Sequence, residues 1–123
     1  MGRRRRRRGD DRLLPLRFQL MRPLPIACEP DAFGSRDAFE KHLAEGRRLV
    51  AAAAERRELE DGWALRLPND DATMVDFVRW SVEERRCCPF FTFAIEREPD
   101  PGALWIRITG PAGAKAVLDA ALQ

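Results

Sequence analysis

The chain has no long apolar run. Nothing in it approaches the roughly 20 residues that cross a bilayer, and the one N-terminal candidate, Leu13 to Leu20, is broken by Pro15 and Arg17. That stretch follows a basic run, but it is too short for a signal-peptide core and no small-residue cleavage site follows it. The expectation is a cytoplasmic protein with no membrane partner. Cysteine is scarce and odd in number: Cys28, Cys87 and Cys88. Three cysteines make a poor disulfide framework, and a reducing cytoplasm would keep their thiols free. Paired C-x2-C spacing is absent, which speaks against a standard structural zinc site. Histidine occurs once, as His42. It lies next to the helix-stripe residue Leu43 and reads as a surface group rather than a base.

What is present is enough for one domain. Of 123 residues, 45% are hydrophobic, too many for a wholly disordered chain and enough for a single core. The formal net charge of +2 conceals an asymmetry: residues 1–20 carry +6 through Arg3 to Arg8, Arg12 and Arg17 against Asp10 and Asp11, which leaves −4 on the rest. Six consecutive arginines repel one another and bury nothing, so residues 1–23 read as a disordered extension, with Met21 as an alternative start. Residues 24–123 read as one α+β domain. A nucleic-acid-binding fold usually carries its basic patch on the domain itself. This domain is mildly acidic, so nucleic acid enters only as a partner for the Arg3–Arg8 tail.

Periodicity supplies the elements. Residues 25–28, flanked by Pro23, Pro25 and Pro30, suggest a short extended segment. Ser35 is a helix N-cap, and Phe39, Leu43, Val50 and Ala53 recur at helical spacing over residues 36–56. Gly46 interrupts that stripe, either weakening the helix or admitting a close neighbour. Asp61-Gly62 signals a hairpin, after which Trp63, Leu65 and Leu67 alternate as a half-buried strand. A helix over residues 72–88 has Met74, Phe77, Val78 and Ser81 on its inner face and ends at Pro89. Phe91, Phe93 and Ile95, then Leu104, Ile106 and Ile108, flank the turn cluster Pro99-Asp100-Pro101-Gly102 as a second hairpin. Gly110-Pro111 opens a last helix striped by Ala114, Val117, Leu118 and Ala121. The expected fold is an antiparallel sheet of two hairpins, plus the short N-terminal strand, with three helices packed mainly on one face.

One cluster speaks of chemistry. On a helix, Cys87 and Cys88 fall three and four residues after Glu84, the two spacings that make side chains neighbours. Thiolates bind soft metals and attack electrophiles. A helix C-terminus and a nearby carboxylate both disfavour a thiolate, and a metal ion would reverse that through its own charge. The candidate ligands are therefore Cys87 and Cys88, with Cys28 as a third thiolate and Glu84 as proton acceptor or auxiliary ligand. Zinc would want a fourth donor, with Glu84, Glu29 or His42 as candidates. Packing remains the competing account, because free cysteine is among the most buried residue types.

The segments "EERRCCPFFTFAIE" and "GALWIRITGPAGAKAVLDAAL" resemble a group of small bacterial proteins with an early Ala-Cys, an E-x2-CCPF motif and a closing GP-x-GA helix. The matching positions here are Ala27, Cys28, Glu84, Cys87, Cys88, Pro89, Phe90, Gly110, Pro111, Gly113 and Ala114, and the resemblance covers residues 25–123. Similar segments occur near or joined to regulators of the mercury- and arsenic-resistance type. That implies a thiol role toward a soft ion such as Zn(II), Hg(II) or As(III), and a regulator protein as a partner. The leading expectation is a thiolate-based binding module for a soft metal or metalloid. The alternatives are a thiol redox enzyme or sensor, and an interaction or ligand-sensing domain whose cysteines only pack.

Overall fold

The computed structural model describes residues 29–122. The N-terminal extension, the expected strand at residues 25–28 and Cys28 lie outside the described residues. A 3-10 turn, Pro30–Phe33, leads into α1 (Arg36–Ala51). The hairpin β1 (Glu55–Leu59) and β2 (Gly62–Leu67) follows, then α2 (Asp71–Cys87), the hairpin β3 (Thr92–Arg97) and β4 (Leu104–Thr109), and α3 (Ala114–Leu122). The strands form one antiparallel sheet in the order β1-β2-β4-β3. This is the α+β fold of two hairpins and three helices that the patterning predicts.

One sheet face makes the core. Leu65 lies opposite Ile106 and Leu67 opposite Leu104, so the alternation of both central strands delivers these aliphatic side chains to the same side. Leu49 of α1, Phe77 of α2 and Leu118 of α3 close over them together with Ile108. Both outer strands are more exposed, and Ile95 on β3 is only partly covered. The opposite face is polar, with Arg57 of β1 stacked 4.5 Å from the ring centre of Trp105.

Three details differ from the sequence expectation. The first helix ends at Ala51, not near residue 56. Ala52 to Ala54 favour helix, but Glu55–Leu59 is captured by the ladder with β2, beginning with Ala54 N–H to Arg66 O at 2.8 Å; tertiary pairing overrides propensity. Glycine at the first hairpin acts by close approach rather than by a left-handed turn. The loop is Glu60-Asp61, and Gly62 begins β2, where a Cβ would sit 1.9 Å from Ile108 O. The inner face of α2 is also rotated: Trp80 packs against the core, whereas Val78 is exposed with Val75 and Val82.

Candidate functional site

The C-terminal half of α2 crosses α1, and where they meet each helix carries a polar residue at a buried position. On α1 the buried side chains are His42 and Leu49, seven residues apart. On α2 they are Phe77, Glu84 and Cys87, and Glu84 again stands seven after an apolar core residue. A seven-residue step returns a helix almost to the same face, so His42 and Glu84 take the places of core hydrophobes and meet across the interface. His42 Nε2 donates to Glu84 Oε1 at 2.6 Å, and Nδ1 lies 3.4 Å from Glu83 Oε1.

His42 is therefore not the surface group its neighbours in sequence suggested. It is 3% exposed, and its imidazole lies between Phe33, 4.8 Å away between ring centres, and Trp80, at 5.2 Å and nearly parallel. The stacking explains Gly46. A Cβ there would approach Trp80 Nε1 to 2.9 Å, so a side chain one turn after His42 would push the indole off the imidazole. The indole N–H also donates to His42 O at 3.2 Å. The signal for His42 was present in the heptad phase Phe39-His42-Gly46-Leu49-Ala53. The Leu43 and Val50 stripe lies one residue away from that phase, and His42 and Leu49 are the residues buried.

Cys87 and Cys88 end the same helix. Cys88 N–H makes a C-terminal hydrogen bond to Glu84 O at 2.8 Å, and Pro89 stops further winding. The Cys87 thiol donates to Glu84 Oε1 at 3.4 Å and faces Cys88 Sγ at 3.5 Å. Both cysteines are at most 2% exposed, packed with Phe90 and Ala114. Burial pushes the Cys87 thiol up to about 12, and the Glu84 charge and its hydrogen bond add to the effect. Cys87 is thus a neutral thiol at ordinary pH. The sequence expectation that all thiols stay free does not hold: Cys87 is free, but Cys88 is disulfide-bonded.

The structure thus brings Glu84, Cys87 and Cys88 together at the end of α2 and sets His42, one of the candidate fourth donors, against Glu84. A donor atom from each of His42, Glu84 and Cys87 lies within 4.8 Å of the other two. Glu29 is exposed and donates its backbone N–H to Cys87 O at 2.8 Å, so the chain just after Cys28 is tied to the end of α2. An apolar pocket of about 130 Å³ opens beside the cluster between α1, α2 and α3; His42, Glu84, Cys87 and Cys88 form part of its wall. No helix among the described residues is long and apolar enough to cross a membrane. Comparison with known protein families, characterised proteins and solved structures found no match.

Proposed function

We propose that the chain is a thiolate-based binding module for a soft or borderline metal ion, with Cys87 as the thiolate and Glu84 and His42 as companion donors. The observation that carries this reading is the convergence of the three donor types within 4.8 Å in a buried site. Nitrogen, oxygen and sulfur donors in one set suit zinc and softer ions, and three protein ligands leave one position for an incoming group. The chemistry is a proton exchange. Burial and Glu84 hold the proton on Cys87, and a dication entering the site displaces it because its charge stabilises the thiolate. Affinity should therefore rise with pH. The disulfide withholds Cys88 from the ligand set, so the three-thiolate arsenite site of Cys28, Cys87 and Cys88 would require reduction of Cys88. The accompanying proposals are a cytoplasmic location and a regulator protein as partner.

The deciding experiment is titration of the full chain with Zn(II), Hg(II) and As(III), with and without reductant, reading thiolate-to-metal absorbance. Stoichiometric Zn(II) binding that Cys87→Ser abolishes and His42→Ala weakens is the expected result. Zn(II) binding no tighter in the wild-type chain than in Cys87→Ser would overturn the reading.

A second reading, a thiol redox sensor, is favoured by the free Cys87 thiol lying 3.5 Å from the sulfur of disulfide-bonded Cys88. Disulfides in a reducing cytoplasm are rare, and those that form are usually catalytic or redox-sensing. Exchange would pass the Cys87 proton to Glu84, join Cys87 to Cys88 and release Cys88's former partner as a thiolate. Alkylation before and after mild reduction, followed by peptide mapping, tests it. A Cys88 disulfide that never exchanges with Cys87 at pH 7–10 would remove this reading.

A further inference from the structure

The pocket between the three helices differs chemically from the donor cluster it adjoins. Leu43 and Val50 of α1, Trp80 of α2, Phe91, and Val117 and Leu118 of α3 make its walls largely apolar. Its volume of about 130 Å³ is far below the roughly 300–1,000 Å³ of pockets that take nucleotides or drug-sized cofactors. It is close to the roughly 150 Å³ of an apolar cavity that accepts benzene. At one side stands a single free thiol, Cys87, since Cys88 is committed to a disulfide.

We infer that this pocket receives the organic group of a monovalent organometal cation, R–M⁺, with R apolar and about the size of benzene and M a soft metal held by Cys87. The inference rests on the proposed role of Cys87 as a soft-metal thiolate and names the class of ion. Three observations converge on it. A metal already bonded to carbon needs only one thiolate, and one is what the described site offers. A bare dication takes Glu84 and His42 as donors in exchange for their 2.6 Å hydrogen bond; R–M⁺ uses the Cys87 thiolate alone and leaves that bond in place. The charge also balances, because one cation meets one thiolate while the apolar walls take the organic group without an uncompensated charge. In the binding step the S–M bond forms as S–H and the bond from M to its leaving anion break. The thiol proton leaves with that anion as its conjugate acid, so the Glu84 carboxylate keeps its hydrogen bond from His42, and no atom changes oxidation state.

The test uses the full chain, unreduced, equilibrated with an equimolar excess of phenylmercuric acetate and methylmercuric chloride. The adduct ratio is read by intact mass and compared with the ratio for the same chain unfolded in urea. The folded chain should favour the phenyl adduct by about tenfold or more over the unfolded one, in line with the discrimination an apolar pocket gives for extra carbon. Val117→Phe, which fills the pocket, should abolish the preference while still forming the methyl adduct. Ala121→Phe at an exposed lining position serves in its place if Val117→Phe misfolds. Equal folded and unfolded ratios, or a preference that neither filled variant reduces, would overturn the inference. Zn(II) binding by Cys87 without a phenyl preference would sink this inference alone. A phenyl preference without Zn(II) binding would sink the three-donor reading and leave the one-thiolate site.

Discussion

Cys87 is held in two ways: its environment keeps the proton on, and its nearest polar neighbour is the group best placed to take it off. Glu84 raises the thiol through its charge and its hydrogen bond, yet the same carboxylate oxygen is the acceptor 3.4 Å from Sγ. Alkylation of Cys87 by a small neutral reagent should therefore be slow at pH 7 and rise about tenfold per pH unit up to at least pH 10, because only the thiolate reacts. Glu84→Gln removes the charge and should make Cys87 more reactive at every pH in that range; unchanged or slower labelling, on a folded variant, would contradict the electrostatic account. The His42–Glu84 bond is measurable separately. Truncating either partner leaves the other buried and underbonded, at a cost of about 1–3 kcal/mol. A double-mutant cycle with His42→Ala and Glu84→Ala in urea unfolding should give a coupling of about 1–3 kcal/mol. Additive effects would mean that His42 is held by its aromatic neighbours alone. Glu84 was legible in the sequence because its i+3 spacing to Cys87 is local. His42 was legible only as a candidate zinc donor; its burial against Glu84 was not, because that partner lies 42 residues away.

At the scale of elements, the packing of α1 on α2 decides the site. Glycine inside a helix normally costs about 1 kcal/mol relative to alanine, so propensity alone favours Gly46→Ala. The structure reverses that sign, since the added Cβ would meet the rigid Trp80 indole at 2.9 Å and overpacking costs about 1–3 kcal/mol. Gly46→Ala should lower stability by about 1 kcal/mol and change the tryptophan emission as Trp80 leaves the imidazole. A more stable variant with unchanged emission would show that the helices separate without cost. The first cap was readable: Ser35 Oγ accepts from Ala38 N–H, and the second helix is capped in the same way, Asp70 Oδ1 accepting from Thr73 N–H at 2.7 Å. Both hairpins were readable as well, because alternation and turn residues are local signals. The phase of α1 and α2 was less so. An apolar stripe tolerates a rotation of one residue on paper, and only the neighbouring helix selects which rotation is buried.

Across the whole molecule, the buried thiol links stability to pH. The folded value for Cys87, about 12, lies above the ordinary 9.0, so on raising the pH the unfolded chain loses this proton first. Stability from the neutral thiol is complete below about pH 9 and drains as pH climbs toward 12. The chain has no tyrosine to titrate in the same range. The urea midpoint should fall from pH 8 to pH 10.5 more steeply in the wild-type chain than in Cys87→Ala. Parallel profiles would mean that Cys87 titrates normally and is not sealed in the core. The same experiment under reductant shows whether the Cys88 disulfide supports the fold, since such a bond contributes about 2–4 kcal/mol in many proteins.

Local chemistry in the sequence determined the element order, the two hairpins, the helix caps and the neighbourhood of Glu84 with Cys87 and Cys88, since each depends on residues a few positions apart. Tertiary structure alone decided that His42 is buried, that Gly46 is space for an indole, that Cys88 is spoken for while Cys87 is free, and that an apolar pocket lies against the thiol. Those features depend on which face of each helix meets its neighbour. Burial, not residue type, then turned an ordinary histidine, glutamate and cysteine into one desolvated cluster.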